Sequence, residues 1–281
     1  MSIRTLFRFQ VLAGLALSLS ISPVVAEKQY GPGVSDTEIK IGQTMAYSGP
    51  ASTYGTLGRA AAAYFAKINA EGGIGGRKIT FLSLDDGYSP PKTVEQTRGL
   101  VERYQVLMIF GSLGTAPNSA VRKYLNSMKV PQLFLAVSAT KFGDPETYPW
   151  TMGWQPPAKV EATVYAKFLR QTNPEAKIAI LYLNDDFGKD LMKWFKAGLG
   201  ETGARNIVAA ESYELNDPTV DSQIIALQAS GAEVLLNFSL PKAQLKPFER
   251  ATISAGDRSI YPYTCLCVLV GRGRFDARGP G

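Results

Sequence analysis

The chain has 281 residues, a formal charge of +6, no histidine and only two cysteines, Cys265 and Cys267. Lack of His removes the commonest general base and transition-metal ligand, and cysteines spaced this closely suit neither an ordinary disulfide nor a metal site without further ligands. The charge is uneven: Arg4 and Arg8 carry +2 and the segment from residue 244 onward a net +3, so residues 27–243 are nearly neutral, and nothing there asks for nucleic acid or an acidic membrane surface.

At the start, Arg4 and Arg8 precede an apolar core over residues 11–21, and Pro23-Val24-Val25-Ala26 suits cleavage after Ala26. Residues 1–26 therefore read as an export signal. The core is too short to span a bilayer, and no later run sustains the roughly 20 apolar residues a crossing needs. No Cys stands near the cleavage point to take a lipid anchor, so the expected location is the periplasm. The rest of the chain is long enough for one large or two modest domains.

Residues 39–46 alternate like a strand, and Tyr47-Ser48-Gly49-Pro50-Ala51-Ser52-Thr53-Tyr54-Gly55 is a loop of turn formers. An amphipathic, Ala-rich helix follows over 56–70 and stops at Gly72-Gly73. Next come a strand over 78–84, a helix over 91–104, a short apolar strand over 106–110, a helix over 118–128 and a strand over 132–136. This alternation predicts a parallel sheet covered on both faces. Gly72-Gly73-Ile74-Gly75-Gly76 is not a phosphate loop, because it follows a helix, precedes a strand and lacks the Gly-Lys-Ser/Thr ending. Asp85-Asp86, at a strand end without a third ligand, reads as a loop or helix cap rather than a metal site.

The chemistry concentrates at Phe110-Gly111-Ser112-Leu113-Gly114-Thr115-Ala116-Pro117-Asn118, where an apolar strand stops at small residues and restarts as a helix. In a parallel sheet such a loop lies at the carboxyl end of a strand, where ligands bind. The first helical N–H groups and the hydroxyl of Ser112 or Thr115 would hold a carboxylate there. The plainer alternative is that Gly114 makes the turn and Thr115 merely caps the helix.

Residues 144–157, with Pro145, Pro149, Pro156 and Pro157 among Trp150 and Trp154, change character and mark a domain boundary. A second α/β series follows: helix 160–169, strand 177–183, helix 187–199, strand 207–213, helix 219–229 and strand 233–238. The expected architecture is thus a lobe over 34–143, a second, incomplete lobe over 144–243, and an atypical tail over 244–281.

Taken in order, Tyr47-Ser48-Gly49-Pro50 with Tyr54-Gly55, Asn69-Ala70-Glu71-Gly72-Gly73-Ile74-Gly75-Gly76, Asp85-Asp86, Gly111-Ser112-Leu113-Gly114-Thr115 and Ser138-Ala139-Thr140 form a pattern. Ile180-Leu181-Tyr182, Asp186-Phe187-Gly188 and Gly231-Ala232-Glu233-Val234-Leu235-Leu236-Asn237-Phe238 extend it. The pattern resembles the branched-chain amino-acid binding proteins of bacterial ABC importers over about residues 34–243. The resemblance implies a type I periplasmic-binding-protein fold, two Rossmann-like α/β lobes with parallel sheets, and a ligand in the cleft between them. It implies that Leu113, Gly114, Thr115 and Ala116 hold the ligand's carboxylate together with Ser138, Ala139 and Thr140. Tyr54 would cover the ligand, Phe187 would stack where many relatives have Tyr, and Ser239 and Leu240 would form another wall. The acidic residue that normally meets the ammonium has no match.

The resemblance further implies a small amino-acid-like ligand, an inner-membrane ABC permease as partner, and no cofactor, metal, nucleic acid or catalytic residue. A ligand-sensing domain of a signalling system would use the same lobes; a doubly wound hydrolase would need a nucleophile with an adjacent base, and the sequence offers none. After residue 243 the family pattern dissolves: Pro262, two Cys and an Arg/Gly-rich end stand where a helix and strand are expected. The reading is a frame-shifted or truncated gene, with a divergent tail as the alternative; the sheets are expected to keep uncovered edges, and the tail to hold only a weak helical fragment at 245–253 followed by turn formers.

Overall fold

The computed structural model describes residues 29–240 in full and the backbone of Arg258–Tyr263 and Leu266–Gly271. The expected export signal and the expected helical fragment at 245–253 lie outside the described residues. Met1–Gly31 and Pro32–Gly281 cluster as separate units, and both sheets belong to the second.

Strands β1 (Glu38–Met45), β2 (Lys78–Asp85), β3 (Met108–Phe110), β4 (Gln132–Leu135) and β5 (Thr151–Gly153) form a parallel sheet in the order β2-β1-β3-β4-β5. Helices α1 (Gly55–Ala70), α2 (Pro90–Arg98) and α3 (Thr115–Ser127) lie between the first four strands in sequence. Helix α2 passes into a wider π-type turn, Gly99–Arg103. Helix α3 starts ahead of the position that periodicity suggests, because Pro117 fits a first turn, where its missing N–H costs nothing. The stretch read as a connector contributes β5 to this sheet.

The second sheet contains β6 (Ile178–Leu183), β7 (Ile207–Tyr213) and β8 (Val234–Phe238), all parallel, extended by β10 (Leu266–Gly271) and β9 (Arg258–Tyr263) in the order β7-β6-β8-β10-β9. Its helices are α4 (Ala158–Thr172), α5 (Asp186–Ala204) and α6 (Asp221–Ala229). Strand β10 runs antiparallel to β8, and β9 antiparallel to β10.

This hairpin corrects the expectation of turn formers and an uncovered edge. Ile260, Tyr261 and Tyr263 on one strand and Leu266, Val268 and Val270 on the other are strand-favouring residues, and two residues separate the strands, a usual hairpin spacing. The second sheet is consequently mixed, and β8 is an interior strand.

The largest core packs around the second sheet, where Ile180, Leu181, Leu191, Phe195 and Phe238 are fully buried, and it continues into Met45, Ala46, Tyr88 and Leu113 at the carboxyl ends of the first sheet. On one side of that first sheet Leu100, Val106, Ile109, Val121 and Leu125 pack beneath α2 and α3. The other side is only partly covered. Helix α1 buries just Gly55 and Gly58, and a ladder of rings crosses the face: Phe65 lies 5.0 Å from Phe81 and 5.5 Å from Phe110, Phe110 lies 5.6 Å from Phe134, and Phe134 lies 5.5 Å from Trp154.

Candidate ligand pocket

Strand order in the first sheet reverses between β1 and β3, so the loops after these strands part and leave a crevice at their carboxyl ends. The loop after β3 is shaped by Gly111 and Gly114, whose φ angles of +63° and +96° favour glycine. Ser112, fully buried, accepts from the Thr44 amide (2.9 Å) and from the Thr44 hydroxyl (3.2 Å), so its Oγ braces β1 rather than meeting a ligand. Asn118 donates to the Ser112 and Gly114 carbonyls at 3.1 and 2.8 Å. From Asn118 a chain runs from the buried interior outward to the surface: Gln132 donates to Asn118 (3.0 Å), Thr151 to Gln132 (3.2 Å), Asn126 to Thr151 (2.7 Å), and the Trp150 amide to Asn126 (3.0 Å). A satisfied buried network of this kind fixes loop geometry.

Gly114, not Thr115, occupies the cap position of α3, and no side chain caps the helix. The Thr115 and Ala116 amides find no acceptor among the described residues, while Pro117 has no N–H to satisfy. The helix therefore presents unused donors and the positive end of its dipole to the crevice. Ser138, 4% exposed, lies beside this end in the pocket wall, and its hydroxyl has no hydrogen-bond partner.

Asp85 and Asp86 are structural, as the sequence suggests. Asp85 accepts from the Tyr47, Ser48 and Gly87 amides, the Ser48 hydroxyl and Lys92, at 2.6–3.2 Å. Partial burial opposes its charge, but these donors, led by Ser48, hold it well below the usual carboxylate range. Asp86 is more deeply buried, which pushes it up despite bonds from the Tyr88 amide (2.9 Å) and the Thr93 hydroxyl (2.8 Å). The two carboxylates tie the loops after β1 and β2 together and hold Tyr88 at φ +61° with its ring in the pocket. A Cβ on Gly114 would come within 2.5 Å of that ring.

The pocket is a small cavity of about 30 Å³ that opens at its mouth into a wider space, about 370 Å³ in all. Tyr54, Leu113, Gly114, Thr115, Ser138 and Phe187 all line it, and Leu240 completes the far wall. Phe187 is placed by the cap of α5, where Asp185 accepts from the Phe187 and Gly188 amides (2.9 and 3.1 Å). Gly188 is required, since a Cβ there would strike the Leu183 carbonyl at 2.1 Å.

Four expected contacts do not line this pocket. Ala116 offers only its amide. Ala139 packs with Leu135, Val137 and Phe142. The Thr140 amide donates to Asp190 of α5 (2.7 Å), and its hydroxyl accepts from the Lys159 amide (3.2 Å), so Thr140 joins the two halves instead. Ser239 is fully buried near the Tyr213 hydroxyl, which accepts from the Leu240 amide (2.8 Å) and which burial pushes up to about 12. Tyr88, Leu57, Ala136, Val137 and Gln155 are lining residues that sequence reading missed. The Gly87-Tyr88 pair directly after Asp85-Asp86, at a strand's carboxyl end, was the available signal for Tyr88.

A family model described as periplasmic binding protein matches residues 38–256. The chain belongs to this family. A ligand-binding role goes with it. Among curated relatives, Leu/Ile/Val-binding protein homolog 7 of Brucella abortus (strain 2308) is 27% identical over 223 residues, covering 76% of this chain and 55% of the relative. The chain thus spans about half the length of the curated relatives it matches. An extracellular ligand-binding receptor from Rhodopseudomonas palustris HaA2 superposes with a TM-score of 0.62 at 26% identity, covering 77% of this chain and 59% of the receptor. The branched-chain amino acid transporter substrate binding protein LivJ from Streptococcus pneumoniae, solved with isoleucine, superposes with a TM-score of 0.59 at 23% identity over 70% of this chain and 56% of its own, a likeness of fold. Among the described residues, no helix of this family member is long and apolar enough to cross a membrane, and no cluster of side chains could hold a metal.

Proposed function

We propose that this chain binds a small carboxylate of the amino-acid class in the periplasm and delivers it to an inner-membrane ABC permease. The observation that carries the reading is the coincidence in one pocket of an uncapped helix N-terminus, at Thr115 and Ala116, with the buried, unpartnered hydroxyl of Ser138. Each is an unmet donor, and a carboxylate supplies acceptors for both. Tyr54, Tyr88 and Phe187 would enclose the apolar part. The bonds from Thr140 to Asp190 and from Lys141 to Asp186 (2.5 Å) link the loop bearing Ser138 to α5, so ligand capture and closure of the cleft would be coupled through one loop.

Calorimetry of the purified chain with leucine, isoleucine, valine and simple carboxylates tests this. Saturable binding is expected, and Ser138→Ala, which removes the unpartnered hydroxyl, should weaken it by roughly tenfold or more, the worth of a hydrogen bond to a charged group. Absence of binding across the whole panel, or an unchanged affinity in Ser138→Ala, would sink the proposal.

A further inference from the structure

Beyond Ser138 lies a second chamber, of about 560 Å³ including its open mouth, between β5 and the turn Thr140–Phe142. Val137, Ser138 and Gln155 line both spaces, so the two adjoin across these three residues. The walls beyond are mostly apolar, with Phe142, Pro145 and Met152 among them, and the polar Thr151 already spends its hydroxyl on Asn126 and Gln132. Among the described residues neither chamber is lined by an ionisable carboxylate. The ammonium of an amino acid would therefore meet no counter-charge from the described lining residues, and a ligand confined to the first pocket would leave the larger apolar surface in contact with water.

We propose that the preferred ligand is a carboxylic acid with an extended acyl tail, its head at the α3 N-terminus and its tail running past Ser138 and Gln155 into the second chamber. The inference rests on the carboxylate seat proposed above and departs from the amino-acid class in the rest of the ligand, an apolar tail with no ammonium. Gly153 offers a way to block the tail: a Cβ there meets Phe142 Cβ at 3.5 Å and Val137 Cγ2 at 3.7 Å, ordinary contacts, so added side chain grows into the chamber.

The test titrates the full chain with butyrate, hexanoate, octanoate and leucine by calorimetry. Affinity should rise roughly fourfold for each methylene past butyrate, and that rise should be abolished in Gly153→Leu while the melt stays cooperative. Should Gly153→Leu fail to fold, Gly153→Ala is the milder plug and should reduce the same slope. Ser138→Ala should weaken octanoate at least tenfold, which ties the head to the carboxylate seat beside α3. A flat series alongside normal leucine binding overturns the tail chamber and leaves the carboxylate seat standing. An unaltered slope in folded Gly153 variants also overturns it, as does octanoate binding that is unchanged in Ser138→Ala. Failure of octanoate and leucine alike overturns both proposals.

Discussion

Gly114 faces two demands at once: a left-handed backbone at φ +96° and room for the Tyr88 ring, which a Cβ would approach to 2.5 Å. Gly114→Ala is expected to cost about 1–3 kcal/mol through backbone strain alone, lowering the melting temperature and weakening ligand binding as Tyr88 is displaced. A variant that melts and binds like the parent would show that the loop relaxes freely. Asp85 carries a pH signature. Its folded pKa is depressed below the unfolded value of about 3.9, so its stabilisation is complete above that value and is lost as pH falls through it toward the folded pKa. Melting temperature should therefore drop on acidification below about pH 4, and Asp85→Asn, which has already lost the charge, should show a shallower drop from a lower starting point. Asp86, pushed up by burial, contributes with the opposite sign. An Asp85→Asn profile parallel to the parent's would remove Asp85 from this role.

The segment from β3 to α3 depends on Asn118, which is fully buried and has a partner at each end of its amide. Asn118→Leu leaves the Ser112 and Gly114 carbonyls and the Gln132 amide without it. A cost of about 1–3 kcal/mol is expected, with a loss of affinity even though Asn118 touches no ligand position; a stable variant with normal affinity would count against the bracing chain. The strands and helices were legible because apolar periodicity is local, and the loop at Gly111–Gly114 because an apolar run ends there in small residues. The bond from Thr140 to Asp190 was not legible, because the two lie 50 residues apart and no local pattern announces such a bond. Tyr88 was hidden because its ring is aimed by a positive φ that Asp86 enforces, and Gln155 because it sits among prolines and tryptophans that read as plain connector. The hairpin β9–β10 was missed since Pro262 and the flanking Arg and Gly were weighed above the β-branched and aromatic residues between them.

For the molecule as a whole, the unevenly covered first sheet matters most. Phe134 is 37% and Trp154 69% exposed at the open end of the ring ladder, a patch of the kind that drives association. Phe134 also sits at φ +55°, which Asn tolerates far better than Phe. Phe134→Asn should lower concentration-dependent light scattering and leave the melting temperature unchanged or higher; a fall of several degrees would show that the ring is worth more as packing than it costs as exposed surface. The position of Trp154 has an optical consequence. It stacks edge-on against Phe134 at 5.5 Å and directly precedes Gln155, which lines both chambers. Trp194, by contrast, has the ammonium groups of Lys159 and Lys193 4.7 and 5.0 Å from its ring. Ligand that settles against Gln155 should shift the red-edge emission of the exposed indole and leave the lysine-flanked one unchanged, so the chain carries an intrinsic fluorescent gauge of its own occupancy.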